Sequence, residues 1–236
     1  MKEFALPELL LIDKLRGISS FTVIRQLRRI TGVRKFGHAG TLDPLATGLM
    51  LIGVSEGTKL LTDLVGLDKE YVAEVLIGEQ RSTGDMEGEI LTERAYARDI
   101  TAEQLASVVA LLCGEITLPV SAYSAIKKDG VPMYKRARKA AAAGTVVTEV
   151  PLRLMKVFAA EVMNTKELTV EGKVRLLATI RFHVGSGTYI RSLAEELGKR
   201  LGYPATLYNL RRTKVGEYRV EDALTVEVVG QKYESI

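Results

Sequence analysis

His38 and Asp43 stand five residues apart in Gly37-His38-Ala39-Gly40-Thr41-Leu42-Asp43-Pro44-Leu45-Ala46-Thr47-Gly48, a stretch too rich in Gly and Pro for a regular helix or strand. Pro44 fixes its own φ and pushes Asp43 toward an extended conformation. Ordering such a loop costs entropy, and a carboxylate held in one direction is the usual return, although turn chemistry alone also uses these residue types. Three other segments carry reactive or recognition groups. Lys69-Glu70-Tyr71 opens a strand with an aromatic hydroxyl, which on local evidence reads as a half-buried packing residue. Gly185-Ser186-Gly187-Thr188-Tyr189-Ile190-Arg191-Ser192 joins a strand to a helix and presents Tyr189 and Arg191 two positions apart. Extended, the two side chains leave one face; helical, they diverge by about 200°. A capping pattern, Ser192-x-x-Glu195, favours the extended form. An Arg near a carboxylate keeps it ionised. In Leu210-Arg211-Arg212-Thr213, two guanidiniums suit contacts to a sugar-phosphate backbone.

The elements that must position these groups alternate without a strict βαβ order. Leu9–Ile12 and Leu49–Val54 read as buried strands, Glu70–Gly78 as a longer strand, and 150–162 with 174–184 as an antiparallel pair. Ser19 or Ser20 caps a helix with Val23, Ile24, Leu27 and Ile30 on one face, ended by Gly32. Thr101-Ala102-Glu103-Gln104 has the look of a capping box, opening a helix packed through Leu105, Val108, Val109, Leu111 and Leu112 and closed by Gly114. Further helices are expected over 134–143, stopped by Gly144, and with Ile190, Leu193, Ala194, Leu197 and Leu201 on one face, ended by Gly198 or Gly202. Gln80 to Glu89 is polar and is expected to be an exposed loop. The fold class is α+β, with a mixed, mostly antiparallel sheet flanked by helices.

Composition narrows the chemistry. The 236 residues are 47% hydrophobic and 26% charged, enough for one large domain or two packed halves. A single cysteine, Cys113, and two histidines, His38 and His183, argue against a disulfide or a metal centre. No run reaches the roughly 18 apolar residues of a membrane span, and Met1-Lys2-Glu3-Phe4 lacks the plan of a secretory signal, so a cytoplasmic protein is expected. The net charge of +4 is segregated: Arg25, Arg28, Arg29, Arg34 and Lys35; then Lys127, Lys128, Lys135, Arg136, Arg138 and Lys139; then Arg211, Arg212 and Lys214. Each cluster alone could be a solvated face, but three beside unusual loops suit a polyanion, above all a nucleic acid.

The segment from His38 to Gly48 resembles the signature of the TruB family, tRNA pseudouridine synthases acting on uridine 55. The resemblance continues through Leu11-Ile12-Asp13-Lys14, Gly17-Ile18-Ser19-Ser20, Lys69-Glu70-Tyr71, Tyr123-Ser124-Ala125-Ile126-Lys127, Gly130 with Tyr134, Ala137-Arg138, Gly187 to Leu193, and Leu210 to Thr213, in family order. It implies the pseudouridine synthase fold, with a curved sheet, and the isomerisation of a flipped uridine in the T-loop of tRNA without a cofactor or metal. Asp43 would be the nucleophile, attacking either the base or the ribose after C2′ deprotonation. Tyr71 would stack on the flipped base, Tyr189 would be a second active-site tyrosine, and Arg191 would pair with the catalytic carboxylate. His38 would enter the space the uridine leaves, Leu210 would line the uracil pocket, and Lys14 would be structural or phosphate-facing. Arg34, Lys35, Lys127, Arg138, Arg211 and Arg212 are candidates for the RNA backbone, and His183 is expected to be a core or edge residue.

The pattern departs at Leu15, where the family has Pro, at Ser121 and Ala122, and at an inserted-looking Ala140–Ala143 run. About a dozen residues follow Leu224, too few for the C-terminal RNA-binding domain of the PUA type, so a single catalytic domain over 1–236 is expected, acting as a monomer without a protein partner. The rival readings are a non-catalytic protein that binds the tRNA T-arm on the same fold, and a catalytic subunit of a guide-RNA complex.

Overall fold

A computed structural model describes residues 6–233 apart from 97, 125, 146 and 148, and of Ala141 only the backbone. Ala125 of the Tyr-Ser-Ala motif and the Met1–Phe4 start therefore lie outside the described residues. The chain divides into two compact units, Met1–Val72 with Leu210–Ile236, and Ala73–Asn209.

The first unit opens with β1 (Leu9–Lys14), α1 (Ser20–Thr31), β2 (Phe36–His38), β3 (Thr47–Val54), a 3-10 turn and the short α2 (Leu61–Leu64). It closes in sequence with β4 (Lys69–Ile77), inside which the chain passes to the second unit. There follow β5 (Glu79–Arg81), β6 (Ile90–Glu93), α3 (Ala102–Ala110), β7 (Gly114–Pro119), β8 (Lys127–Lys128), β9 (Val131–Pro132), α4 (Met133–Ala142), β10 (Leu152–Val170), β11 (Lys173–Val184) and α5 (Ile190–Leu201). The chain returns within β12 (Ala205–Val215) and ends with β13 (Tyr218–Arg219) and α6 (Val226–Tyr233).

In the first unit β3 is central. It pairs antiparallel with β1 and β2, and parallel with β12 through Arg211↔Thr47 and Arg212↔Gly48. Ala39, Leu49, Leu51, Val215 and Val220 form a buried cluster there, so the loop carrying Asp43 leaves and re-enters the core at its two ends. Helix α1 is built as its sequence indicates: the Ser19 side chain accepts from the Thr22 N–H, and Gly32, at φ 70°, ends it.

In the second unit β11 lies between β4 and β10, and β7 pairs antiparallel with the far side of β10. The fold is thus α+β with a mixed, mostly antiparallel, open sheet, as expected. Three details differ from the sequence reading. Helix α3 has its capping box but ends at Ala110, leaving Leu111 exposed and Gly114 at the start of β7. Residues 80–89 are not an exposed loop: Arg81 and Asp85 are buried, because Arg81 Nε reaches Glu79 at 2.7 Å and neighbouring charges neutralise one another. The segment around Arg211 is part of an 11-residue strand.

Candidate active site

The Asp43 loop is held by its backbone. Ser20, buried at the start of α1, uses one hydroxyl to accept from the Leu42 N–H at 2.8 Å and donate to the Leu42 carbonyl at 3.0 Å. On the other side of Asp43, the Pro44 carbonyl accepts from the Gly17 N–H at 2.8 Å and from the Lys14 ammonium at 3.4 Å. The Asp43 carbonyl in turn accepts from Ala46 N–H at 3.1 Å. Residues on both flanks of the aspartate are thus tied down, while Asp43 itself stays half-buried.

Arg212 secures the two ends of the loop. Its side chain donates from Nε to the Leu49 carbonyl at 2.7 Å and from Nη2 to the Gly40 carbonyl at 3.1 Å. The strand that carries it runs so close to β3 that a Cβ on Gly48 would lie 2.3 Å from the Arg212 carbonyl oxygen. Gly48 also has φ +105°, so no side chain fits there on either count. Lys69 packs nearby, its Cε 3.9 Å from where a Gly40 Cβ would stand, with its ammonium donating to the carbonyls of Val65 and Leu67. Burial, reinforced by the Arg212 charge, lowers the Lys69 ammonium to about 8, against the opposing pull of Asp68.

His38 ends β2 and is half-buried, with Nδ1 enclosed. Burial first, and then Arg212, hold its pKa below the ordinary histidine value, only partly offset by a backbone hydrogen bond. It is therefore a neutral imidazole at pH 7. Tyr71 is buried on β4, and Leu210 is buried on β12.

The second unit holds Tyr189 and Arg191. Helix α5 begins at Ile190, with Tyr189 as its extended N-cap at φ −102° and ψ 107°. Arg191 is therefore already helical, and the expected Ser192-Glu195 cap does not form, because Ser192 Oγ donates to the Pro119 carbonyl at 2.7 Å. Arg191 is buried, and its Nη1 donates to the Thr83 carbonyl and to Ser121 Oγ, both at 2.8 Å, with Asp85 Oδ2 at 3.7 Å. Asp85 is itself fixed by the Thr83 hydroxyl at 2.5 Å and the Glu87 N–H at 3.1 Å. One turn along α5, burial raises the Glu195 carboxyl above the usual range, more than the Gln80 hydrogen bond and Arg191 lower it. Ser121 and Asp85 thus serve Arg191, and sequence reasoning missed both.

The model of the TruB family pseudouridylate synthase N-terminal domain matches residues 28–190 of this chain. A protein of Leifsonia xyli subsp. xyli named tRNA pseudouridine synthase B is 44% identical over 219 residues, covering 91% of this chain and 69% of that protein. A protein of the same name from an Arthrobacter species is 38% identical over 234 residues, covering 97% of this chain and 72% of the relative. The chain belongs to the TruB family.

A chain from the structure of an H/ACA RNP bound to a substrate RNA containing 2′-deoxyuridine matches with a TM-score of 0.65 at 24% identity, over 95% of this chain and 53% of that one. This TruB-family chain thus spans about half of that solved chain, and the likeness speaks for the fold.

Lys14 is 0% exposed and its ammonium is directed onto the carbonyls of Leu15, Ile18 and Pro44, which supports the structural one of its two expected roles, holding the Asp43 loop. Arg212 is 1% exposed and bonded to two carbonyls, which does not suit a grip on the RNA backbone. Arg211 forms a two-pronged pair with Asp13, at 3.1 and 2.7 Å. Arg34, Lys35, Lys127 and Arg138 are exposed, Lys35 beside Glu56 at 3.3 Å and Arg138 over the Tyr134 ring. His183 is half-buried against Phe158. No group of three His, Cys, Asp or Glu among the described residues could hold a metal, and no described helix is long and apolar enough to cross a membrane.

Proposed function

We propose that this chain is a tRNA pseudouridine synthase that isomerises uridine 55 of the T-loop, with Asp43 as nucleophile. The observation that carries the reading is the aspartate of the family signature, set in a loop whose flanking peptides are fixed by Ser20, Gly17, Lys14 and Arg212. A nucleophile gains most from such fixation, because a misplacement of about 1 Å costs on the order of a hundredfold in rate. The target base leaves its stack, at a few kcal/mol offset by stacking on Tyr71 and packing against Leu210. Asp43 then forms its adduct at the base or at the ribose, the C1′–N1 bond breaks, and uracil turns. The C1′–C5 bond forms, the bond to Asp43 breaks and returns the carboxylate, C5 gives up its proton, and N1 gains one, so atoms balance without a cofactor. Tyr189 and Arg191 are the further active-site residues that the family resemblance implies. His38, neutral and partly enclosed, fills the space that the flipped uridine vacates.

The enzyme acts alone in the cytoplasm, as a monomer without a protein partner, and the exposed Arg34, Lys35, Lys127 and Arg138 contact the RNA backbone. Incubation with unmodified tRNA, followed by carbodiimide-dependent reverse-transcription stops, tests the reading. A stop at position 55 that is lost in Asp43→Asn supports it; a stop that persists with Asp43→Asn removes Asp43 from the chemistry.

A further inference from the structure

An aromatic side chain in the second unit is displayed without any part in the mechanism above. Between β10 and β11 the register steps from Val157↔Val184 to Ala159↔His183, so Phe158 is the extra residue of a β-bulge. Bulges bend a strand and re-aim a side chain, and they recur beside functional sites. Phe158 is left 48% exposed. Its ring centroid lies 5.0 Å from that of His183, tilted by 46°, and Lys156 Nζ stands 5.8 Å from the ring centre.

The same strand segment borders the loop that delivers Tyr189. Gly185 N–H donates to the Lys156 carbonyl at 2.8 Å, and a Cβ on Gly185 would meet Phe158 Cζ at 3.8 Å. The Arg153 guanidinium occupies the place a Gly187 side chain would take, with Nη2 2.1 Å from that position. Arg153, Lys156 and Phe158 therefore line residues 185–188. Two carboxylates face this surface, Glu115 at 3.7 Å from Lys156 and Glu161 at 3.2 Å from Arg181. Both pairs are solvent-exposed, and such pairs hold weakly enough for a phosphate to compete.

An exposed ring backed by a second ring and flanked by cations has the composition of a nucleobase platform: the π-face takes the base and the cations take the adjoining phosphates. We propose that Phe158, supported by His183 and flanked by Lys156 and Arg153, stacks an unpaired base of the RNA substrate other than the target uridine. This rests on the reading of the chain as an RNA-modifying enzyme. It adds a contact that places the RNA strand beside the Tyr189 loop.

The chain contains no tryptophan, so Phe158→Trp installs a single fluorophore on the platform. Titration with an unmodified T-arm hairpin is expected to quench its emission saturably, at the Kd found by filter binding. Phe158→Ala and Phe158→Leu should each weaken that Kd roughly five- to fiftyfold, with the single-turnover rate at saturating RNA within twofold of wild type. Phe158→Trp should bind as wild type does. Unquenched emission at saturating RNA, a wild-type Kd in Phe158→Ala, or recovery by Leu each overturns the platform; the last would mean simple apolar cover. Pseudouridine formation by the wild type is scored in parallel. Turnover without quenching overturns the platform alone, and quenching without turnover overturns the proposed function alone.

Discussion

His38 shows how much of this site is set by single atoms. Its pKa lies below that of an unfolded histidine, through burial and the nearby Arg212 charge. The sign follows: the stability tied to neutral His38 is fully present above the ordinary value of 6.5. It is lost as pH falls from there toward the lowered folded value, because the unfolded chain takes up the proton first. His38→Gln should therefore flatten that part of the stability curve, as read by urea unfolding of both proteins between pH 5 and 8. A parallel fall in stability for wild type and variant would count against the assignment. Arg212 and Lys69 show the same economy, since Arg212 is directed at the carbonyls of Gly40 and Leu49 and Lys69 at those of Val65 and Leu67, while the Arg212 charge bears on both His38 and Lys69.

At the scale of elements, the parallel contact between β3 and β12 depends on one missing side chain. Gly48→Ala would place a methyl against the Arg212 backbone at a φ that disfavours any side chain. A loss of roughly 3 kcal/mol or more is expected, with the activity of the folded fraction falling as well. Ser19→Ala is the contrasting case: it removes the N-cap of α1, costs about 1 kcal/mol, and leaves the rate at saturating RNA unchanged. Denaturant titration with single-turnover assays separates the two.

These elements also show what the residues disclosed in advance. Strand β1, helix α1, strand β3 and the β10–β11 pair were legible because apolar runs or periodic faces end at Ser and Gly signals. The burial of Arg81, Asp85 and Arg191 was not, because local polarity suggests solvent, whereas Arg81 is met by Glu79 and the distant Glu171, and Arg191 joins Asp85 to Ser121 from another segment. Strand β12 was hidden for the same reason: Leu210-Arg211-Arg212 reads as surface until the carbonyls that receive Arg212 are known. The apolar face from Ile190 marked α5 correctly, whereas the Ser192 capping signal pointed to a later start, because Ser192 bonds to Pro119 in another element instead of capping its own helix.

Across the whole molecule the net charge of +4 is less informative than which cations remain accessible. Lys127, Lys135, Arg138 and Lys139 are exposed, whereas Arg136 is tied to the Lys128 carbonyl and Asp129. Each phosphate contact contributes about one to the slope of log affinity against log salt. Lys127→Ala should lower the slope for tRNA by about one, while Arg212→Lys should leave the slope unchanged even where it weakens the fold. Binding measured from 50 to 200 mM salt checks both, and an unaltered slope for Lys127→Ala removes that residue from the RNA footprint.

The contact between Arg212 and Gly40 spans 172 residues. On a ribosome adding about 5–20 residues per second, the guanidinium emerges roughly ten to thirty seconds after the loop it secures. The nascent polypeptide thus has its Asp43 loop tied by Ser20, Gly17 and Lys14 but lacks the Arg212 restraint while the whole of 73–209 is being made.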